Sequence, residues 1–336
     1  MAQIPDPLEA PPLRWGILGP GRIATTVCES IRQGTVQRIT AVGSRSAARA
    51  RDFAERFEIP AAHGSYQELV ADPGVDIVYV ATPNSFHHEH ARLALEAGKP
   101  VVVEKTFTLN QAQAQDLADL AQDRGLFLME GMWTRFLPHA AELRERLARG
   151  VIGDVVTLTV DFGERNAFDA GDRFHDPGLG GGALLDRGVY CVAWAVDLLG
   201  LPGTVQARAD LTGTGVDGHV SAILGYPERQ AQALIQASIV ADTPQESWIA
   251  GTGGLIRVDR RFWEPTLLDM RGDDGAHDVW THATRSRGYE YEIAEAARRV
   301  SAGETSSPLL PPAQSVAIMG VMDQIRSQIG VRFPGE

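Results

Sequence analysis

The stretch Leu13-Arg14-Trp15-Gly16-Ile17-Leu18-Gly19-Pro20-Gly21-Arg22-Ile23-Ala24 reads as a short apolar strand, a glycine turn and the opening of a helix. Gly19 to Ala24 spell G-x-G-x-x-A, in the context that raises this pattern above a bare match. The first glycine permits the tight turn. The second lets backbone approach a pyrophosphate, and Ala24 allows the helix to pack closely on the sheet. Free N–H groups at the helix start suit the pyrophosphate.

The pattern continues outward from this turn. Arg38–Val42, Asp76–Ala81, Pro100–Glu104 and Leu126–Met129 read as strands. Ala47–Phe57, Glu89–Ala97 and Gln111–Arg124 read as helices between them, with Gly98 and Gly125 at helix ends. Strands alternating with helices imply a parallel sheet. The alternation stops near residue 135. Beyond it, Val155–Phe162, Thr204–Leu211, His219–Tyr226, Gln232–Ile239, Ser247–Ile249 and Leu255–Val258 read as strands with short turns. Pro138–Ala148, Leu184–Leu199, Tyr289–Ser301 and Ala313–Ile329 read as helices. The expected fold class is therefore α/β: an N-terminal dinucleotide-binding domain over 13–135, then an α+β domain over 136–336 with a large, open, mostly antiparallel sheet. The C-terminal helix is allowed to pack back on the first domain. Residues 1–12, with four prolines and no apolar period, are expected to be a disordered tail.

Composition narrows the function. The 336 residues carry 31 Lys+Arg against 43 Asp+Glu, a net charge of −12, which argues against nucleic acid as partner. No apolar run is long enough for a membrane span, and the start does not read as a secretory signal. Two distant cysteines, Cys28 and Cys191, exclude a disulfide framework and suggest a cytoplasmic setting.

The end of the second strand indicates which dinucleotide is bound. Val42-Gly43-Ser44-Arg45-Ser46 lacks the acid that usually bonds an NAD ribose. Ser44, Arg45 and Arg49 instead suit a 2′-phosphate, so NADP is expected, with NAD the alternative. Thr82, Pro83, Asn84 and His87 leave one strand at the edge where such sheets bind ligands, and Glu104 and Lys105 leave the next. His87, His88 and His90 invite a metal reading, but no third ligand follows at a suitable spacing, so no metal is expected.

Several motifs together resemble the Gfo/Idh/MocA oxidoreductases: GxGxxA, Ala81-Thr82-Pro83-Asn84 with His87, Glu104-Lys105 after a valine-rich strand, and Gly181-Gly182-Ala183-Leu184-Leu185-Asp186-Arg187-Gly188-Val189-Tyr190. Trp133–Pro138 and the ending Ile329–Pro334 resemble the branch containing dimeric dihydrodiol dehydrogenases and NADP-dependent D-xylose 1-dehydrogenases. The resemblance spans roughly residues 13–334 and implies a Rossmann domain, a second α/β domain, and NADP chemistry on a sugar or vicinal diol. It implies cofactor contacts by Gly19, Pro20, Gly21, Arg22, Ile23, Arg45 and Arg49, with His87 near the nicotinamide. It implies catalytic roles for Lys105, Tyr190 and Asp186. Trp133 and Arg135 match the branch's W-x-R. Phe162 and His175 join them as candidate substrate contacts. The family's proline after the lysine is replaced by Thr106, where a trans peptide is expected.

Oxidising an alcohol requires a base for its proton as hydride leaves carbon. A tyrosine, with an ordinary pKa of about 10, needs help to act near neutrality. A neighbouring ammonium gives it. Asp186 and Tyr190 share a helical face at i, i+4. An aldose such as D-xylose or a trans-dihydrodiol is the expected substrate. The readings that compete with a dehydrogenase are a non-catalytic dinucleotide-sensing regulator and a dehydratase-like or hydrolase-like use of bound NAD. The open sheet face predicts a homodimer or homotetramer.

Overall fold

The structure, a computed structural model, describes residues 4–264 and 267–334. The chain divides into two compact units. One holds Pro5–Phe136 and Thr284–Val316; the other holds Leu137–Ala283 and Ala317–Glu336.

The first unit carries strands β1 (Arg14–Leu18), β2 (Arg38–Gly43), β3 (Ala61–His63), β4 (Ile77–Val80), β5 (Val101–Glu104) and β6 (Leu128–Gly131). They form one parallel sheet in the order β3-β2-β1-β4-β5-β6, the order of a dinucleotide-binding fold. Every residue of β4 and β5 is buried, which explains the unbroken apolar runs Ile77–Val80 and Val101–Val103. Helices α1 (Arg22–Gly34), α2 (Ala47–Phe57), α3 (Tyr66–Ala71), α4 (His87–Glu96) and α5 (Gln111–Arg124) connect the strands. Their ends are written in the sequence. Ser46 and Asn110 accept N–H bonds at the starts of α2 and α5, and Gly125 closes α5 in the left-handed region.

The second unit carries α6 (Pro138–Ala148), β7 (Val155–Gly163), α7 (Val189–Leu199), β8 (Thr204–Leu211), β9 (Asp217–Tyr226), β10 (Ala231–Ser238), β11 (Ser247–Gly251), β12 (Gly254–Val258), β13 (Leu267–Gly272) and β14 (His277–Thr281). The sheet order is β14-β13-β12-β11-β7-β10-β9-β8. Only β7 and β10 run parallel; the other neighbours are antiparallel. Two further helices close the chain, α8 (Tyr289–Ser301) and α9 (Pro312–Ile329). α8 belongs to the first unit.

Three expectations need correction. Residues 1–3 of the expected tail lie outside the described residues, but Pro7–Glu9 form a 3-10 turn capped by Asp6. Asp6 pairs with Arg285 at 2.8 Å, Arg298 donates to its carbonyl, and Ala10 is buried against Ala294 and Ala297 of α8. Prolines that limit the unfolded chain, plus one buried alanine and satisfied backbone, suffice to dock this segment. Second, β3, α3, β13 and β14 were not foreseen. They are short, and β14 is almost wholly exposed, so none shows a strong apolar period. Third, the Lys105–Thr106 peptide is cis, not trans. Thr106 is fully buried, and its carbonyl oxygen lies 2.7 Å from Nδ1 of His87, so tertiary contacts surround this bond.

Candidate active site

The glycine turn of the first unit fits a pyrophosphate. Gly19 has φ +100°, and a Cβ there would collide with Thr82. At Gly21 a Cβ would meet only the Ala81 carbonyl, 3.9 Å away, so the outer side of the turn is open. Gly21 caps α1 without any side-chain bond, and the first-turn residues Arg22, Ile23 and Ala24 follow it. That leaves N–H groups and the positive end of the helix for an anion. Pro20 sits between the two glycines and fixes φ there.

At the end of β2, Ser44 is buried and its Oγ accepts the Ser46 N–H at 3.2 Å. Arg45 is exposed and lies over the Phe86 ring, 5.5 Å from its centroid. A cleft is lined by Arg45, Tyr66, His88, His90, Arg92 and Glu96 among others. Arg92 and His88 both bond Asp116 at 2.7 Å. Arg45 makes no ion pair among the described residues, so it is the cation of this cleft left to meet an anion. His90 stacks on Phe86, meets Tyr66 edge-on, and contacts Thr82 Oγ1 at 3.0 Å; burial pushes it down to about 4, so it is neutral. Sequence reading missed Tyr66, Phe86 and His90 as the surroundings of Arg45. Arg49 lies exposed on α2, outside the lining of this cleft.

Beyond β4, Thr82 and Asn84 are buried and Pro83 is exposed. His87 is buried with its two ring nitrogens 2.7 Å from the carbonyls of Thr82 and Thr106. A neutral ring carries one N–H, so His87 donates to one of these two carbonyls, with the loops after β4 and β5 both packed against it. Burial, the larger influence, drives its pKa down to about 4. At the end of β5, Glu104 is buried, and its Oε2 accepts the Lys105 N–H at 3.0 Å. Trp133 is buried and stacked on Tyr289, 4.5 Å between centroids. Arg135 donates to the Leu309 carbonyl and to Gln314 Oε1 at 2.7 and 2.8 Å. These contacts of Trp133 and Arg135 all lie within the first unit.

All four candidates Asp186, Tyr190, Phe162 and His175 lie in the second unit, where Tyr190 and Phe162 are in contact. Leu184–Gly188 form a π-helical turn that runs into α7, so Asp186 lies on the wider turn and Tyr190 in the first turn of the helix. Asp186 pairs with Arg173 at 2.9 Å. Tyr190 is 6% exposed and packs against Phe162, 5.5 Å between centroids; Phe162 in turn stacks on Trp263 at 3.6 Å. His175 is buried, edge-on to Phe168 at 4.9 Å. Neither of its ring nitrogens has a hydrogen-bond partner among the described residues. Such a group is costly unless something satisfies it.

Arg187, Asp217 and Trp263 are further residues here that sequence reading passed over. Arg187 is 2% exposed and donates to the carbonyls of Glu164 and Ser238 and to Asn166, tying the segment after β7 to the turn that holds Asp186. Its place between Asp186 and Gly188 was the one available signal. Asp217 accepts the Leu184 N–H at 2.6 Å, and burial pushes its carboxyl up to about 7. No group of three or more His, Cys, Asp or Glu among the described residues is arranged to hold a metal ion.

A parallel sheet in this order, with an open glycine turn at a helix start, defines a dinucleotide-binding fold. The profile of the oxidoreductase family with an NAD-binding Rossmann fold matches residues 13–132, and that of the GFO/IDH/MocA C-terminal domain matches residues 140–257. The chain belongs to the Gfo/Idh/MocA family and is an NAD(P)-dependent oxidoreductase. It is 35% identical over 331 residues to the trans-1,2-dihydrobenzene-1,2-diol dehydrogenase of Xenopus laevis, covering 96% of this chain and 99% of the relative. The mouse protein of that name is 35% identical over 337 residues, covering 96% and 98%. Among solved structures, the 3-ketoreductase KijD10 of Actinomadura kijaniata, in complex with NADP and TDP-benzene, superposes with a TM-score of 0.85 at 27% identity, covering 95% of this chain and 98% of that one. A levoglucosan dehydrogenase in complex with NADH and levoglucosan shares the fold, with a TM-score of 0.85, 19% identity and coverage of 96% and 100%. Among the described residues no helix is long and apolar enough to cross a membrane.

Proposed function

We propose that this chain is an NADP-dependent dehydrogenase acting on a hydroxyl-bearing carbon of a trans-dihydrodiol or a sugar. The single observation that carries the cofactor preference is Arg45: a cation without an ion pair at the end of β2, with no carboxylate where an NAD enzyme would carry one. The name shared by the two relatives above supports the diol, over nearly the whole chain. Bound NADP supplies the hydride acceptor.

In this reading the protein's own residues handle the proton and the substrate. Tyr190 takes the hydroxyl proton, and the ammonium of Lys105 favours the tyrosinate. Asp186 accepts a hydrogen bond from a second substrate hydroxyl, with its charge held by Arg173. Phe162 offers an apolar wall, and His175 offers a polar one through its unsatisfied ring nitrogens. Gly19, Gly21, Arg22 and Ile23 receive the pyrophosphate; Ser44, Arg45 and Arg49 receive the 2′-phosphate; Thr82, Pro83, Asn84, His87 and Glu104 line the remainder of the dinucleotide. The exposed face of β8, β9 and β10, with Ile223 and Leu234 paired across the strands and each 42% exposed, serves a homodimer or homotetramer. The experiment that tests the function is NADP reduction by purified protein with dihydrodiols and aldoses, against Tyr190→Phe.

A further inference from the structure

Behind Lys105 lies a chain of buried polar side chains that hydride-transfer chemistry does not require. Glu104 ends β5 and is 3% exposed; Glu292 on α8 is fully buried. The Tyr79 hydroxyl on β4 stands between them, 2.7 Å from Glu104 Oε1 and 3.1 Å from Glu292 Oε1. A phenol has one proton and can donate to one carboxylate at a time. The shorter contact is the one to Glu104, as expected for donation to an ionised acceptor. The longer contact then sets the Tyr79 oxygen against Glu292, and two lone pairs facing each other in a dry interior are unfavourable. One proton on Glu292 Oε1 resolves this.

We propose that Glu292 carries that proton and is a positioning residue for Lys105, through the directional chain Glu292 O–H to Tyr79, Tyr79 O–H to Glu104, and Lys105 N–H to Glu104. The last link is the 3.0 Å bond from the Lys105 backbone to Glu104 Oε2. On the far side of the same loop, the Phe107 N–H donates to Glu130 Oε1 on β6 at 3.2 Å. Two buried carboxyls on adjacent strands thus hold the backbone on either side of Lys105 and Thr106. This inference rests on the proposed role of Lys105.

The surroundings favour the neutral acid. Three groups face Glu292: Tyr79 from β4, Glu104 from β5 and Glu130 from β6. Tyr289, on its own helix, faces Tyr79, and Lys105 and Arg135 face Glu130. Burial and the Glu104 charge both push Glu292 well above the ordinary carboxyl range. Its second oxygen, Oε2, has no hydrogen-bond partner among the described residues, which a full charge would not tolerate. When Glu292 does lose its proton, two carboxylates compete for one phenol, and the bond that holds Lys105 weakens.

Difference infrared spectroscopy, wild type minus Glu292→Gln, reads the proton directly. We expect a protonated-carboxyl band in the wild type at about neutral pH that the variant lacks. Glu292→Gln, whose amide can still donate to Tyr79, should keep kcat within about twofold, while Tyr79→Phe lowers kcat about tenfold with NADP affinity within about twofold. Absence of the band overturns the proposal. Lys105→Met separates the two layers. If that variant is inactive and Tyr79→Phe turns over like wild type, the positioning inference is overturned while the role of Lys105 stands. If Lys105→Met retains turnover, the role of Lys105 fails and the inference falls with it.

Discussion

Arg173 and Asp186 form an ion pair of 2.9 Å in which the arginine side chain is 43% exposed and the carboxylate 9%. The carboxylate is thus the buried partner and the arginine the solvated one. The arginine also lies over the Phe174 ring, 4.0 Å from its centroid, which holds it in place. Arg173→Ala should lower kcat/KM about tenfold by removing the nearer of two arginines at Asp186, the other being Arg187 at 3.9 Å, while thermal stability changes little, since a half-exposed pair contributes at most about 1 kcal/mol. Arg173→Lys should recover part of that loss. Steady-state kinetics beside a melting curve separates the two effects; a loss of stability with unchanged kinetics would assign the pair to folding alone.

Asp217 gives a pH dependence whose sign is fixed. Its carboxyl is raised from 3.8 to about 7 by burial. Between those values the folded state keeps a proton that the unfolded state has lost, so this group makes stability fall as pH rises through the window. The slope approaches about 1.4 kcal/mol per pH unit where the two states differ by a whole proton. The buried histidines act oppositely: His139 is lowered to about 3 and His90 to about 4, so each adds stability as pH rises towards the ordinary histidine value of 6.5. Denaturant unfolding of wild type and Asp217→Asn cancels the histidines. The variant should gain on the wild type from about pH 4 to 7 and then hold level. A gap that is constant with pH would show that Asp217 is ionised throughout.

Arg45 should decide between the two nicotinamide cofactors. A charge-assisted, two-pronged bond to phosphate is directional and strong. Arg45→Ala should weaken NADPH binding by about ten- to a hundredfold and leave NADH within about twofold. Fluorescence titration with both nucleotides checks this. Equal weakening of both would place Arg45 on the shared part of the dinucleotide.

The sheet face makes a prediction about assembly. Light scattering should return at least twice the chain mass of 36.3 kDa, and Leu234→Asp, which places a charge on the face, should shift the protein towards one chain. A wild type at the mass of a single chain contradicts the assignment of this face.

The fold was legible where the sequence carried long or unbroken patterns. Gln111–Arg124 could be placed because Gly125 marks its end, and Ala47–Phe57 because its composition is helical with a polar face. Ile77–Val80 was plain because a strand buried on both faces leaves no polar interruption. The three-residue β3 and the polar, exposed β14 offered no such signal. Within the site, the i, i+4 spacing predicts Asp186 and Tyr190 on one helical face; it carries no sign of the π-helical turn that holds Asp186 just before α7 begins. It could not show that Trp133 lies flat on Tyr289, more than a hundred residues away in the chain, or that the two nitrogens of His87 face backbone carbonyls. Tyr79, Glu104 and Glu292 come from two strands and a distant helix, so only the tertiary fold could bring them together.

The most direct measurement is the initial rate of NADP reduction with a panel of trans-dihydrodiols and aldoses, for wild type and Tyr190→Phe side by side. Steady turnover of at least one substrate is expected in the wild type. In the variant, removal of the acid/base hydroxyl should lower kcat by about a hundredfold or more, within the range general acid–base catalysis supplies. NADP affinity should be unchanged. Turnover in Tyr190→Phe equal to wild type, or NADP binding with no turnover of any diol or sugar, would contradict the assignment of this chain as a Tyr190-dependent dehydrogenase.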